Sequence, residues 1–309
     1  MKKEVLIIVG PTAVGKTRLS LVLAKRLNNA EIISADSRQV YKLMNIGTAK
    51  PTAEELASVP HHFINIKYPD EYYSAGKFGR EARQAMAHLF KAGKSPLVVG
   101  GSGLYIRALS DGFFEKQVYD EQIKTRLKKE INIRGIAHLY ERLNQVDRQS
   151  AEKIHPNDSH RIIRALEVFE LTGETLSSLQ RQSSQKADFE PVFIGLTRNR
   201  EKLYHIIEKR VDQMLEQGLV HEVINLKKMG YHAELNSMQT VGYHEVFEYI
   251  DQTIDFDEMV CLIKQHSRNY AKRQLTWFRN DERIKWFDVD LYTDLDKLSE
   301  QILDFFINR

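Results

Sequence analysis

The 309-residue chain contains a single cysteine, Cys261. One thiol excludes an internal disulfide and any zinc site built on several cysteines, and a reducing, cytoplasmic setting is the natural one. Long hydrophobic runs are also lacking. Only five apolar residues follow Met1-Lys-Lys-Glu4, too few for a signal-peptide core, and no later run approaches the eighteen or so that span a bilayer. No membrane partner is expected. Charge of one sign is scarce as well, with 45 Lys and Arg against 42 Asp and Glu and a formal net charge of +3. Any nucleic-acid binding must therefore come from a local arrangement of basic side chains. No internal repeat, low-complexity tract or flexible linker interrupts the chain. What remains, 42% hydrophobic and 28% charged, is a globular composition long enough for one large domain or two ordinary ones.

The strongest local signal is Gly10-Pro11-Thr12-Ala13-Val14-Gly15-Lys16-Thr17, which follows the apolar run Val5 to Val9 and precedes a helical pattern from Arg18 to Leu27. It fits GxxxxGK[ST] in strand-loop-helix context, the P-loop signature. Backbone N–H groups of such a loop curl around a phosphate while the next helix points its positive end at the same anion. Lys16 would reach the terminal phosphate oxygens, and the Thr17 hydroxyl would hold a magnesium ion. The loop specifies a polyphosphate without specifying which one.

A second short strand, Glu31 to Asp36, ends in a carboxylate on the same expected rim. Asp36 is a magnesium partner, a general base, or a cap on the next helix. Adjacent His61 and His62 read as loop or packing residues, because neighbours in sequence cannot chelate one metal as an i, i+4 helical pair does. Lys77 to Ala92 is an amphipathic helix stopped by Gly93. Pro96 to Val99 is the next strand, and Gly100-Gly101-Ser102-Gly103 stands where a P-loop ATPase would carry its Walker-B acid. That absence counts against a motor or switch ATPase. Glycines there permit either close backbone approach to a ligand or a plain turn.

From about Phe114 the pattern changes. Asp120 to Gln182 holds no convincing strand, and the expected organisation is an α/β P-loop core with a mostly parallel sheet, residues 1–113 and 190–309, interrupted by an all-helical insertion, residues 114–189. The clearest inserted helix begins near Asn157 or Asp158 and buries Ile162, Ile163, Leu166 and Phe169. Residues 121–182 contain eleven Lys or Arg and nine Asp or Glu, so only a local patch of this block could touch RNA. Val192 to Leu196 returns the chain to the sheet. After Asn199, an N-cap, a helix carries Leu203, Ile206, Ile207, Val211 and Met214 on one face. Arg210 lies on or beside that face, where a guanidinium needs an anion, either a phosphate or an internal carboxylate. On a helix through Lys264 to Arg279, the basic residues Lys264, Arg268, Lys272 and Arg279 fall within roughly 80° of one another. That stripe runs about 22 Å and reads as a polyanion contact or as a solvated charged face. Ile284 to Phe287 is an edge strand, and Leu295 to Ile307 a closing helix.

Together, Gly10 to Thr17, Asp36-Ser37-Arg38-Gln39-Val40-Tyr41, Gly47-Thr-Ala-Lys-Pro51, Gly100 to Tyr105, Val241-Gly242-Tyr243, and Tyr270-Ala-Lys-Arg-Gln274 with Thr276 to Arg279 resemble the bacterial tRNA dimethylallyltransferases, in order and spacing. Ser102 departs from the threonine common there but keeps the hydroxyl, and the zinc-finger extension of some eukaryotic members is lacking. The resemblance implies transfer of a dimethylallyl group from its pyrophosphate to the exocyclic amine of the adenosine 3′ of a tRNA anticodon, by a monomer using Mg2+. It implies that residues 10–17 bind the donor pyrophosphate, that Thr12 and Arg210 assist its departure and that Asp36 is the base. Contacts to the anticodon stem-loop are implied for Asp36, Ser37, Arg38, Gln39, Ser102, for Arg126 and His160, Arg161, Ile162, Ile163, Arg164 of the insertion, and for Gln239, Thr240, Val241, Gly242, Tyr243 and His244. Backbone contacts from Lys264, Arg268 and Lys272 are expected from the stripe. The competing reading is a P-loop small-molecule or nucleotide kinase with a helical lid, which predicts ATP turnover. An adenylate prenyltransferase would leave the basic helix and the insertion without a purpose, and a non-catalytic RNA-binding protein would consume no pyrophosphate ester.

Overall fold

In the computed structural model, which describes residues 3–27, 29–113, 119–182 and 187–309, six strands form one sheet in the order β3-β2-β4-β1-β5-β6, every pair parallel. In chain order the elements are β1 (Lys3–Val9), α1 (Lys16–Arg26), β2 (Ala30–Ser34), α2 (Ala53–Ser58), β3 (His61–His62), α3 (Ala75–Lys91), β4 (Ser95–Gly100) and α4 (Gly103–Ser110). Then come α5 (Glu121–Arg134), α6 (Ile136–Val146), α7 (Arg148–Lys153), α8 (Ser159–Thr172) and α9 (Leu176–Gln182). The chain ends with β5 (Phe189–Thr197), α10 (Arg200–Glu216), α11 (Leu219–Lys228), α12 (Tyr243–Ile250), α13 (Phe256–Arg279), β6 (Lys285–Asp288) and α14 (Leu295–Ile307). It divides into two compact units, Met1–Ser110 with Ala187–Arg309, and Asp111–Lys186. The expected change of pattern at Phe114 lies outside the described residues.

The central strands are apolar throughout because both faces of the sheet are covered. Val5, Ile7 and Val9 of β1 join Phe78 and Met86 of α3 and Val246 of α12 on one face, while Leu6 and Ile8 join Leu19 and Leu23 of α1 and Ile302 of α14 on the other. Each such side chain, fully buried, contributes about 1.5–3 kcal/mol, far more than the few tenths by which helix propensities differ. Packing therefore decides these elements. Being parallel, the strands present their carboxyl ends on one rim, which receives the loops after β1, β2 and β4.

His61 and His62, expected in a loop, pair as a two-residue edge strand beside Ile32 and Ile33, and His62 Nε2 lies 2.6 Å from Glu31 Oε2. Pairing was decided by the template β2 offers, which lies thirty residues away in sequence. Gly100 needs its lack of a side chain for the same tertiary reason. A Cβ there would stand 2.1 Å from the Ala35 carbonyl oxygen, so the close approach is to the protein's own backbone and not to a ligand.

In the second unit, α5 to α8 surround Leu127, Leu139, Leu143, Ile162 and Leu166. Helix α8 starts where Asp158 accepts the Arg161 N–H and stops at Gly173, whose φ of 69° suits glycine. Phe169 was expected on its buried face but is only partly covered, and Ala165 and Val168 are buried there as well.

Candidate active site

The loop between β1 and α1 is organised to receive an anion. Gly15, at φ 109°, precedes the helix in a conformation that favours glycine, and no side chain caps the first turn of α1. Amide groups at an uncapped helix start carry partial positive charge and seek an acceptor. Lys16 folds back so that Nζ donates to the carbonyl oxygens of Gly10, at 2.9 Å, and Pro11, at 2.7 Å. Across the loop, Arg210 of α10 donates from Nη1 to Thr12 Oγ1 at 3.4 Å. Among the described residues neither Lys16 nor Arg210 has a carboxylate in ion-pair range. Burial lowers the Lys16 ammonium from 10.5 to about 7; Asp36 pulls it back up and Arg210 pushes it further down. Burial also lowers Arg210. Two half-buried cations and a bare helix start with no anion among them form a site whose electrostatics are completed by a phosphate.

Asp36 closes the turn after β2. Its Oδ1 accepts the N–H groups of Arg38, at 2.8 Å, and Gln39, at 3.2 Å, while among the described residues Oδ2 accepts nothing. Among the described residues no helix starts at Asp36 for it to cap, as the alternative reading expected; it closes a turn instead, and that fixes the carboxylate without using all of it. Ser102, on the loop after β4, accepts the Ser37 N–H at 2.9 Å and donates to Ser37 Oγ at 3.1 Å. Burial, then Asp36, pushes the Tyr270 hydroxyl up to about 12, while Ser102 beside it acts in the opposite direction. Gln274 of α13 joins the two loops: its Oε1 accepts the Thr12 N–H at 2.8 Å and its Nε2 donates to the Gly101 carbonyl at 2.9 Å. The result is a pocket of about 280 Å³ that has Thr12, Asp36, Arg38 and Arg210 in its wall together with apolar Ile207, Val211, Met214 and Ile263.

A sequence model of IPP transferases matches residues 39–281. The chain belongs to the IPP transferase family. Its relatives include the tRNA dimethylallyltransferases of Caldanaerobacter subterraneus subsp. tengcongensis, 44% identical over 100% of this chain and 99% of that one, and of Carboxydothermus hydrogenoformans, 45% identical over 98% and 97%. Among solved structures it resembles the full-length tRNA isopentenylpyrophosphate transferase of Bacillus halodurans, with a TM-score of 0.73 at 43% identity over 99% of this chain and 96% of that one. A eukaryotic dimethylallyltransferase acting on tRNA superposes with a TM-score of 0.81 at 29% identity, over 99% of this chain and 80% of that one.

Within this IPP transferase, Asp36, Ser37, Arg38, Gln239, Thr240, Val241 and Gly242 all line the pocket with Thr12 and Arg210, although they are up to 230 residues apart in sequence. Several expected contacts are redirected by packing. Tyr243 is fully buried, as is Ile162, and Ile163 nearly so; their side chains belong to core, so any contact there comes from neighbours. Gln39 spends its amide on the Thr48 and Ala49 carbonyls. Lys264 pairs with Asp212 at 2.6 Å, and Arg268 pairs with Glu208, which corrects the reading of an open four-residue stripe. In the helical unit, Arg126 pairs with Glu170, Arg161 with Asp158 and Arg164 with Glu167, while His160 and Arg161 are exposed. His244 is partly exposed beside Glu248. Thr48, Ala49, Ser267 and Arg273 also line the pocket without having been singled out for it. Arg273 stood beside the basic stripe in sequence, and both it and Gln274 belong to the motif Tyr270-Ala-Lys-Arg-Gln274, for which the sequence gave membership and no individual role.

Proposed function

We propose that the protein transfers a dimethylallyl group from dimethylallyl pyrophosphate to the exocyclic amine of the adenosine immediately 3′ of a tRNA anticodon. The observation that carries this reading is a cationic cradle without an anion that reaches, through Thr12 and Arg210, into the wall of a pocket holding a carboxylate with a spare oxygen and an apolar wall. A kinase would use the first; the apolar wall beside it suits a prenyl chain. In the reaction the allylic carbon–oxygen bond breaks, its electron pair leaves with pyrophosphate, and the adenine nitrogen bonds to the allylic carbon while losing a proton.

Lys16, the amides of residues 13–17 and the Thr12–Arg210 pair meet the charge that grows on the leaving pyrophosphate. Stabilisation of this kind is worth about 10²–10³ in rate for a single donor. Asp36 takes the proton from the amine, which is a poor nucleophile because its lone pair is delocalised; a placed base contributes about 10²–10⁴. Thr17, at the first turn of α1 where no acidic side chain stands, offers one hydroxyl for Mg2+, and a magnesium ion held by one protein group plus phosphate oxygens needs little more. When bound, the ion neutralises pyrophosphate charge. The adenine leaves its stack to enter the pocket, and Ser37, Arg38 and the loop 239–242, which line it, receive the base. Exposed polar side chains, His160 and the cation Arg161 in the helical unit and the cation Lys272 on α13, supply contacts to the tRNA backbone.

The test is mass spectrometry of an unmodified tRNA incubated with the protein, magnesium and either dimethylallyl pyrophosphate or ATP. One added prenyl group on the adenosine 3′ of the anticodon, with the allylic donor alone, is the expected result. ATP hydrolysis or phosphoryl transfer with no prenylation would replace this reading by a kinase.

A further inference from the structure

Glu222, on α11, does not line the pocket, yet it holds two of its walls. Oε2 accepts the Asn45 N–H at 2.9 Å, both oxygens accept the Ile46 N–H at 2.9 and 3.1 Å, and Oε1 accepts the Gly47 N–H at 3.3 Å. Three consecutive amides turned toward one point form an anion-binding nest, and here the anion is a side chain from an element about 175 residues further along the chain. Oε1 also accepts the Tyr243 hydroxyl at 2.6 Å. Tyr243 opens α12 directly after Gly242, so the same carboxylate ties residues 45–47 to the end of the loop 239–242.

The contact between the two walls is close. A Cβ on Gly47 would stand 2.4 Å from Cε2 of the Tyr243 ring, so the ring lies directly on the Gly47 backbone. The far end of the first loop is fixed independently, by Lys50, whose Nζ donates to Asn45 Oδ1 at 3.0 Å, to Asn65 Oδ1 at 2.6 Å and to the Tyr41 carbonyl. Gly47, Thr48 and Ala49 on one side and Gln239 to Gly242 on the other both border the pocket. Charge-assisted bonds are roughly twice as strong as neutral ones, and four donors on one carboxylate leave no slack in the distance between the loops.

The geometry points to Glu222 as a positioning residue that fixes the width of the pocket and thereby restricts the prenyl donor to a short chain. This rests on the prenyl-transfer reading above. An apolar wall of Ile207, Val211, Met214 and Ile263 would accept more carbon than five atoms if the opposite loops could withdraw. Glu222→Gln replaces one oxygen with an NH2 group that faces N–H donors, which drives the loops apart. Tyr243→Phe keeps the ring on Gly47 and removes one bond.

The experiment compares kcat/KM for transfer to an anticodon stem-loop from dimethylallyl pyrophosphate and from geranyl pyrophosphate, in wild type and both variants, with inorganic pyrophosphate affinity and thermal unfolding measured alongside. The preference for the five-carbon donor should fall about tenfold or more in Glu222→Gln, the scale on which fitted apolar pockets discriminate, and by less in Tyr243→Phe. Pyrophosphate affinity should stay within about twofold, since the cradle is untouched. If both donors lose activity equally, so that the ratio is unchanged in Tyr243→Phe and in Glu222→Gln if it folds, Glu222 is merely structural and the inference is overturned. A wild-type protein that transfers no prenyl group overturns the parent reading and this inference with it.

Discussion

Lys16 enters a half-buried loop where, among the described residues, no carboxylate lies in ion-pair range, and its pKa, lowered to about 7, records what burial costs the charge. The unfolded chain holds this proton up to 10.5, so between about pH 7 and 10.5 the unfolded state binds more protons and stability of the ligand-free protein rises with pH. Pyrophosphate reverses the preference by stabilising the ammonium. Binding measured calorimetrically at pH 8, in buffers of different ionisation enthalpy, should therefore show proton uptake of up to about one proton per site, and Lys16→Met should abolish it. Uptake that persists in the variant would assign the proton elsewhere. Asp36 lends itself to a cleaner test than truncation, because its Oδ1 caps a turn. Asp36→Asn keeps the cap and loses the base, so turnover should drop about 10²–10⁴ while tRNA affinity holds; equal loss of both would remove Asp36 from the proton transfer. The sequence placed Asp36 on the right rim from strand logic alone, but the division of labour between its two oxygens depends on where the backbone of Arg38 and Gln39 turns.

Helix α13 shows how one element can be read correctly as a helix and only partly as a surface. Its helical character and basic periodicity were legible from Lys264 to Arg279, where the charges recur at helical spacing, whereas its start at Phe256, with Asp255 accepting the Glu258 N–H, was not read. Two of those charges face α10, where Glu208 and Asp212, four residues apart, meet Arg268 and Lys264, also four apart. A helix contact across fifty residues of sequence leaves no local signal. Lys272 is exposed and among the described residues has no ion-pair partner. Lys272→Ala should therefore reduce the salt slope of tRNA binding by about one charge's worth. Lys264→Ala should leave the slope unchanged and cost about 0–1 kcal/mol of stability, the usual scale for a partly exposed pair. A slope that falls for Lys264 instead would mean that RNA competes with Asp212.

At the scale of the molecule, the two units carry separate cores, and each can be addressed by itself. The pocket is built wholly from residues of the sheet-containing unit, whereas Leu127, Leu139, Leu143, Ile162 and Leu166 make the helical unit a packed body of its own. Replacing residues 111–186 with a flexible linker should leave pyrophosphate binding intact, as followed by calorimetry, and weaken tRNA binding by about tenfold or more if the exposed side chains of His160 and Arg161 reach phosphate, since each lost backbone contact costs affinity and each lost cation also costs salt slope. Loss of pyrophosphate binding in that variant would show that the units do not fold independently.

The sequence by itself determined the P-loop motif, the alternation of apolar strands with helices, the helical insertion and the limits of α10 and α14, because these rest on short-range periodicity, caps and turn residues. It also determined the family, since motifs in fixed order carry that information. Only the tertiary structure decided which cations stay free. Lys16 and Arg210 converge from residues nearly two hundred apart and, among the described residues, find no carboxylate in ion-pair range; Lys264 and Arg268 find theirs on α10. It alone decided that Tyr243 and Ile162 are core, that Gln274 joins two loops, and that Glu222 holds the pocket's walls. Each of those outcomes depends on through-space distance between distant segments, which local sequence does not encode.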